Sequence, residues 1–380
     1  MNSRTRVLET INHKQPDRIP LDLGVGLTCR IHVKFYHKLL EHFGLKEDVR
    51  CSSKSAQICI ASDAVLERLE CDVRTPTPVA LPRPDPLSRE WEDDDYFHFI
   101  DNWGTSFRMP KSTPLYYDMH EFPLAADPTK IADYPWVEPD LLDPAGVKSA
   151  VAYREAGYPI IFTDHFGNGF LQSAPRLFGF DEWLMMLGGG DDEVKIYLDR
   201  LLDIKMRYYD QLFDTYKDTL DIVCESDDLG MQGGPFVSPE MFREVFKPYW
   251  RKLFAYIKNK NSNVKIYMHS CGSVEALIGD LIDVGLDILN PIQISAANME
   301  PASLKKKYGK DLVFWGGGVD TQKVLPQGTP AEVRENVKRN IDALAQDGGY
   351  VFATVHNIQS DVPLENFFAM WETFIENRNY

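Results

Sequence analysis

The strongest constraint in this 380-residue chain is an alternation of short apolar runs with long amphipathic stretches. The runs are IPLDLG (19–24), CDVRTPT (71–77), YPIIFT (158–163), LDIVCE (220–225), VKIYMH (264–269), LDILNP (286–291), LVFWGG (312–317) and YVFATV (350–355). Each is strand-sized, and the later ones are separated by helix-sized stretches. PEMFREVFKPYWRKLFAYIKN (239–259) and SVEALIGDLIDVG (273–285) have helical periodicity. So does TPAEVRENVKRNIDALAQDGG (329–349), which opens on a threonine cap followed by proline and closes on glycine. Eight strands with intervening helices predict the α/β class and a (β/α)8 barrel of the TIM type.

Residues 76–140 interrupt the repeat with prolines, an acidic run (EWEDDDYFHF) and an aromatic one (FIDNWGTSF). This stretch reads as an N-terminal insertion bearing a β-hairpin and capping one end of the barrel, inside a single domain spanning 1–380. Its aromatic residues ask for burial, so its prolines do not mark a flexible linker.

Composition narrows the function. The net charge of −16 disfavours nucleic acid as a partner. No apolar run approaches the roughly 20 residues of a membrane helix, and MNSRTRVLETINHKQPDRIP lacks the apolar centre of a secretion signal. The six cysteines are too sparse for a disulfide framework at this length. The expectation is a cytoplasmic protein that binds neither membrane nor nucleic acid.

In this architecture chemistry gathers at the C-terminal ends of the strands. VKIYMHSCG (264–272) ends in His269 and Cys271, two positions apart and so on one face if the strand persists. Imidazole and thiolate are both zinc ligands. His356 follows YVFATV directly. His269, Cys271 and His356 make three donors, the number a catalytic zinc site takes while keeping one position open. Two neutral imidazoles and one thiolate leave the ion with a net charge of about +1, hence a strong Lewis acid. Glu225 closes LDIVCE and stands either as a zinc ligand or as an acceptor behind one. Asp227 and Asp228 follow it as candidates for proton work or for a helix cap. His165, Phe166 and Phe170 in TDHFGNGFLQ (163–172) either wall a pocket for a flat substrate, with Trp103, or pack. Trp183 and Met186 read as core. WGGG (315–318) lacks a phosphate-binding spacing and reads as a sharp turn or a close approach to a ligand.

Several stretches resemble the uroporphyrinogen decarboxylase superfamily, and within it the cobalamin-linked methyltransferase branch. They are RTRVLETINHKQPDRIPLDLG, ESDDLGMQGGPFVSPEMFREVFKPYWRKLF, MHSCGSVEALIGDLIDVGLDILNPIQ, FWGGGVDTQKVLPQGTPAEVRENV and GGYVFATVHNIQSDVPLENFFAMWE. The resemblance implies a decorated TIM-type barrel. The decarboxylases carry an arginine-containing MRQAGR-type stretch near the N-terminus; here the region reads LGVGLTCRIHVKFY, with Arg30 alone. The methyltransferases carry a His-x-Cys pair and a late Cys or His for zinc, which His269, Cys271 and His356 match. Thiol-methylating members usually have cysteine where His356 stands.

The resemblance therefore implies a zinc-dependent O-demethylase, a methyltransferase moving methyl from a methoxylated, typically aromatic compound to the Co(I) cobalamin of a partner corrinoid protein. Zinc and cobalamin are the expected cofactors, the second carried by the partner. The alternatives are a methylcorrinoid:thiol or methylcorrinoid:tetrahydrofolate (pterin) methyltransferase running the other way, and a uroporphyrinogen-decarboxylase-like decarboxylase.

Overall fold

The computed structural model describes residues 1–76, 89–139, 145–163 and 168–380. Its centre is a parallel sheet of six strands, neighbours in chain order: Ile161–Phe162, Ile222–Ser226, Lys265–His269, Ile288–Asn290, Val313–Trp315 and Tyr350–Val351. These cores are rich in Ile, Val, Phe and Tyr and are buried on both faces, as a sheet jacketed by helices requires.

The first two expected strands form no ladder. They contribute single parallel bridges, Leu21 with Phe352 and Arg74 with Ile160. The Asp72 amide donates to the Leu21 carbonyl over 2.8 Å and links the two segments. Hydrogen bonds thus run round eight segments in TIM-type order. Proline limits the pairing at 19–24: Pro20 accepts from the Phe352 amide at 2.9 Å but has no N–H to give back.

The expected helices surround the sheet. The 239–259 stretch is Pro239–Met241, a wide π turn at Phe242–Phe246, and Lys247–Lys260. The 273–285 stretch is Glu275–Asp283. Pro330–Leu344 starts on a Thr329/Glu332 capping box. Trp183 and Met186 lie in the core, as expected. Asp192–Tyr216 runs along the outside of the Ile222–Ser226 strand and matters for the site below.

Within 76–140 the structure holds more than a hairpin. Glu90–Glu92, Tyr96–Ile100, Ser106–Pro110 and Asp118–Glu121 form a four-stranded antiparallel sheet. It meets the rest of the chain through Tyr117 N–H to the Ser55 carbonyl (2.8 Å) and Thr105 Oγ1 to the Arg176 carbonyl (2.6 Å). Trp103 is packed edge-on against Trp136 in its wake. Among the described residues no helix is long and apolar enough to cross a membrane.

Candidate active site

Strand parity decides which side chains reach the mouth. In the parallel register His269 pairs with Ser226 and with Asn290, and Met268 pairs with Glu225. Paired residues share a face, so His269, Ser226 and Asn290 form one set and Met268 and Glu225 the other. His269 closes its strand with 4% of its surface exposed. Cys271 follows in a tight turn at Gly272, whose φ is +87°. A Cβ there would lie 2.3 Å from the Gly230 carbonyl carbon, so the loops after two adjacent strands meet backbone to backbone.

The turn brings Cys271 Sγ to 3.4 Å from His269 Nε2. His356, from the loop after Tyr350–Val351, completes the group: one donor atom from each of His269, Cys271 and His356 lies within 4.8 Å of the other two. Tetrahedral zinc with nitrogen and sulfur ligands has edges of about 3.3–3.7 Å, so one pair is already at ligand spacing and His356 needs a small approach.

A second set of contacts aims the first histidine. Asn290 Oδ1 lies 2.8 Å from His269 Nδ1. The Asn290 amide is oriented because its Nδ2 donates to the Trp315 carbonyl at 2.8 Å and its Oδ1 accepts from Thr28 Oγ1 at 2.9 Å. An oxygen facing Nδ1 makes Nδ1 the donor, which leaves Nε2 toward Cys271 free for a metal. Neither Asn290 nor Thr28 was among the expected site residues. Asn290 ends the LDILN run at a strand C-terminus, and that position was the available signal.

Electrostatics suits the same use. Burial alone would push the Cys271 thiol up, but His269 beside it outweighs this and holds it at about 7. Burial opposes charge on His269, while the Cys271 thiolate and Asp228 raise it well above its ordinary value. Both shifts run in the direction of an imidazolium–thiolate pair, whose imidazole proton a metal would displace. The donor set, its spacing and the low thiol pKa all fit zinc.

The acidic residues separate. Glu225 does not reach the cluster. It lies on the outer face, where its carboxylate takes 2.7 Å from Lys205 Nζ and 2.9 Å from Tyr209 OH, both on the Asp192–Tyr216 helix. Asp227 is also turned from the cleft, because its oxygens accept the Leu171 and Gln172 amides at 3.1 and 2.8 Å. Burial pushes it up to about 7. Asp228 stays at the site: Oδ1 is 3.4 Å from His269 Nε2 and accepts the Cys271 amide at 2.9 Å. Burial would raise this carboxyl, but the His269 hydrogen bond and charge hold it below the ordinary range.

Phe170 is fully buried against Trp250, with centroids 4.8 Å apart, and is packing rather than pocket wall. His165 and Phe166 lie outside the described residues. Arg30 spans from Thr163 Oγ1 (2.7 Å) to Ser52 Oγ (3.2 Å). In WGGG, Gly316 and Gly317 have φ of +98° and +84°, so the sharp turn is what that stretch provides. Cys271 and His356 open onto a cleft of about 550 Å³ whose other walls include Met231, Gln232, Gln293, Gln322, Asn357 and Gln359.

Comparison with known proteins gives a family and a structural likeness over the full length of the chain. The family described as uroporphyrinogen decarboxylase (URO-D) matches residues 174–376, more than half the chain. A methyltransferase from Methanosarcina mazei aligns over 99% of this chain and 99% of its own, with a TM-score of 0.65 and 16% identity. At that identity the likeness speaks for the fold alone. A chitinase domain from Pyrococcus furiosus (61% of this chain, 78% of its own, TM-score 0.34, 14% identity) shares too little of the fold to carry an argument. No curated protein sequence matches the chain.

Proposed function

The chain belongs to the uroporphyrinogen decarboxylase family, and on that premise we propose that it is a zinc-dependent methyltransferase. It takes methyl from the oxygen of a methoxylated compound, with methoxy-aromatics the first class to assay, and passes it to the Co(I) corrinoid of a partner protein. The observation that carries the proposal is the His269–Cys271–His356 cluster at the C-terminal end of the sheet, opening onto a cleft. The arginine stretch of the porphyrinogen enzymes is missing from 23–36.

Zinc, when held by His269 Nε2, Cys271 Sγ and His356, would supply a Lewis acid for the ether oxygen and so make it a better leaving group. The chain's own part is positional. Asn290 and Thr28 hold His269 in one tautomer. Asp228, one-third exposed (34%) beside His269 Nε2, is held as a carboxylate and steadies the pair by accepting the Cys271 amide. In the transfer the carbon–oxygen bond would break as a cobalt–carbon bond forms on the partner's corrinoid, the electron pair coming from Co(I), which becomes methyl-Co(III), while the oxygen would keep its own pair and take a proton from solvent. No nucleophilic side chain is needed for this, and the mouth must admit the partner's corrinoid.

The test mixes the purified zinc-loaded protein, cob(I)alamin and a panel of methoxy compounds and follows the Co(I) absorption. Conversion to methyl-Co(III) with at least one methoxy compound is expected. If none works, while methylcobalamin is readily demethylated by a thiol or tetrahydrofolate, the direction is reversed and the proposal fails.

A further inference from the structure

The cleft beside Cys271 and His356 is lined by amides and, beyond those two residues, has no ionisable side chain among its described walls. Two of these amides are nearly buried, Gln293 at 6% and Asn357 at 5% exposure, and each has its oxygen committed. Gln293 Oε1 accepts the Gly272 amide at 2.6 Å, and Asn357 Oδ1 accepts the Arg30 amide at 2.9 Å. A backbone N–H can be met only by the oxygen, so neither amide can flip. Both residues line the cleft, and among the described residues neither NH2 has a partner.

Both residues adjoin the candidate reaction centre. Gln293 braces the Gly272 turn that carries Cys271, and Asn357 follows His356 directly. Neutral, oriented donors in a half-enclosed cleft select for acceptors. A plain hydrocarbon substituent would leave both NH2 groups dehydrated and unpaired, a cost that sites built on hydrogen bonds use for discrimination.

We propose that Gln293 and Asn357 form an acceptor-binding subsite, and that the substrate carries, besides its methoxy group, a second oxygen acceptor of the carboxylate or carbonyl type. The inference rests on the methyl-donor reading of the site above and specifies the substrate class. It adds no step to the chemistry: the subsite binds the remote end of the molecule and leaves the ether oxygen for the metal position.

The probes are 4-methoxybenzoate, 4-methoxyacetophenone and 4-methoxytoluene, matched in ring and methoxy group and differing in the acceptor. Calorimetric titration of the zinc-loaded protein, with no corrinoid present, gives their affinities directly. At least one acceptor-bearing probe is expected to bind about tenfold or more tightly than 4-methoxytoluene, the worth of one good hydrogen bond. Whether benzoate or acetophenone binds better tells carboxylate from carbonyl. Asn357→Asp and Gln293→Glu keep the oxygen that holds the backbone but replace the donor with an acceptor. Both are expected to fold and to lose most of the preference, with the carboxylate hit hardest. Equal binding of all three probes, or a preference unchanged in both variants, overturns the subsite. Neither outcome touches the methyl-transfer reading, which the cobalt assay decides separately: demethylation of 4-methoxytoluene as efficient as that of the other two would sink the subsite and uphold the reaction.

Discussion

Glu225 and Ser226 are adjacent in the chain and face opposite ways, and that parity separates a structural acid from a site residue. Glu225, Lys205 and Tyr209 form a fully buried set between the sheet and a helix. Breaking a buried pair strands the remaining charge, at about 3–5 kcal/mol, whereas replacing both members with apolar residues of like size is near neutral. Glu225→Gln and Lys205→Met are each expected to lower the urea midpoint sharply, and Glu225→Leu with Lys205→Met to restore much of it. Zinc content should be normal in every variant that folds. Loss of zinc in Glu225→Gln at unchanged stability would return this acid to the metal. At Asn290 the expectation is reversed. Asn290→Leu removes the acceptor that aims His269, so zinc affinity should fall by about 10–100-fold with the fold intact, as chelator competition would show. Sequence made the three donors legible because His and Cys at strand ends have few other uses together. It could not show which way Glu225 turns, because a fully buried strand is apolar on both faces and its parity leaves no pattern.

At the scale of elements, the site depends on two loops touching through their backbones. Gly272→Ala would place a methyl group 2.3 Å from the Gly230 carbonyl carbon at a φ of +87°. The strands beneath are long enough to keep their ladder, so the loop must move and take Cys271 with it. Reduced zinc content with near-native circular dichroism is expected; full zinc occupancy would mean the loops have slack. The Pro301–Tyr308 helix offers a titration instead. Burial lowers Lys305 from 10.5 to about 8. Below about 8 it is charged whether folded or unfolded, and the folded state bears the cost in full. Between about 8 and 10.5 only the unfolded chain holds the proton, so this residue's contribution to stability rises with pH. The difference in urea midpoint between the wild type and Lys305→Met should be flat at neutral pH and shift in favour of the wild type across that window. A flat difference up to pH 10.5 would place the lysine in solvent. Helix positions were legible in advance from caps and periodicity, but the π turn at Phe242–Phe246 was not, since it changes the hydrogen-bond step without changing the apolar stripe.

For the molecule as a whole, the question is how a ring with two ladderless segments stays closed. The answer is concentrated on Asp72. Its carboxylate accepts from Arg6 Nη1 (2.7 Å), Arg18 Nη1 (2.8 Å), Ser3 Oγ (2.7 Å) and the Leu21 amide (2.9 Å). One buried acid thus ties the Ser3–Ile11 helix to both segments that pair least, where the sheet alone supplies a bridge apiece. The barrel was legible from its repeat, whereas this closure was not, because it is carried by side chains far apart in sequence rather than by strand pattern. Asp72→Ala leaves two arginines facing each other without their carboxylate and should cost about 3–5 kcal/mol. Because the lost contacts lie at the seam, opening should begin there. Hydrogen exchange is expected to accelerate first in residues 3–22 and 350–352, while the Ile222–Ser226 and Lys265–His269 amides stay protected. Uniform acceleration across all strands would instead make the ring one cooperative unit, with Asp72 no more a clasp than any other buried residue.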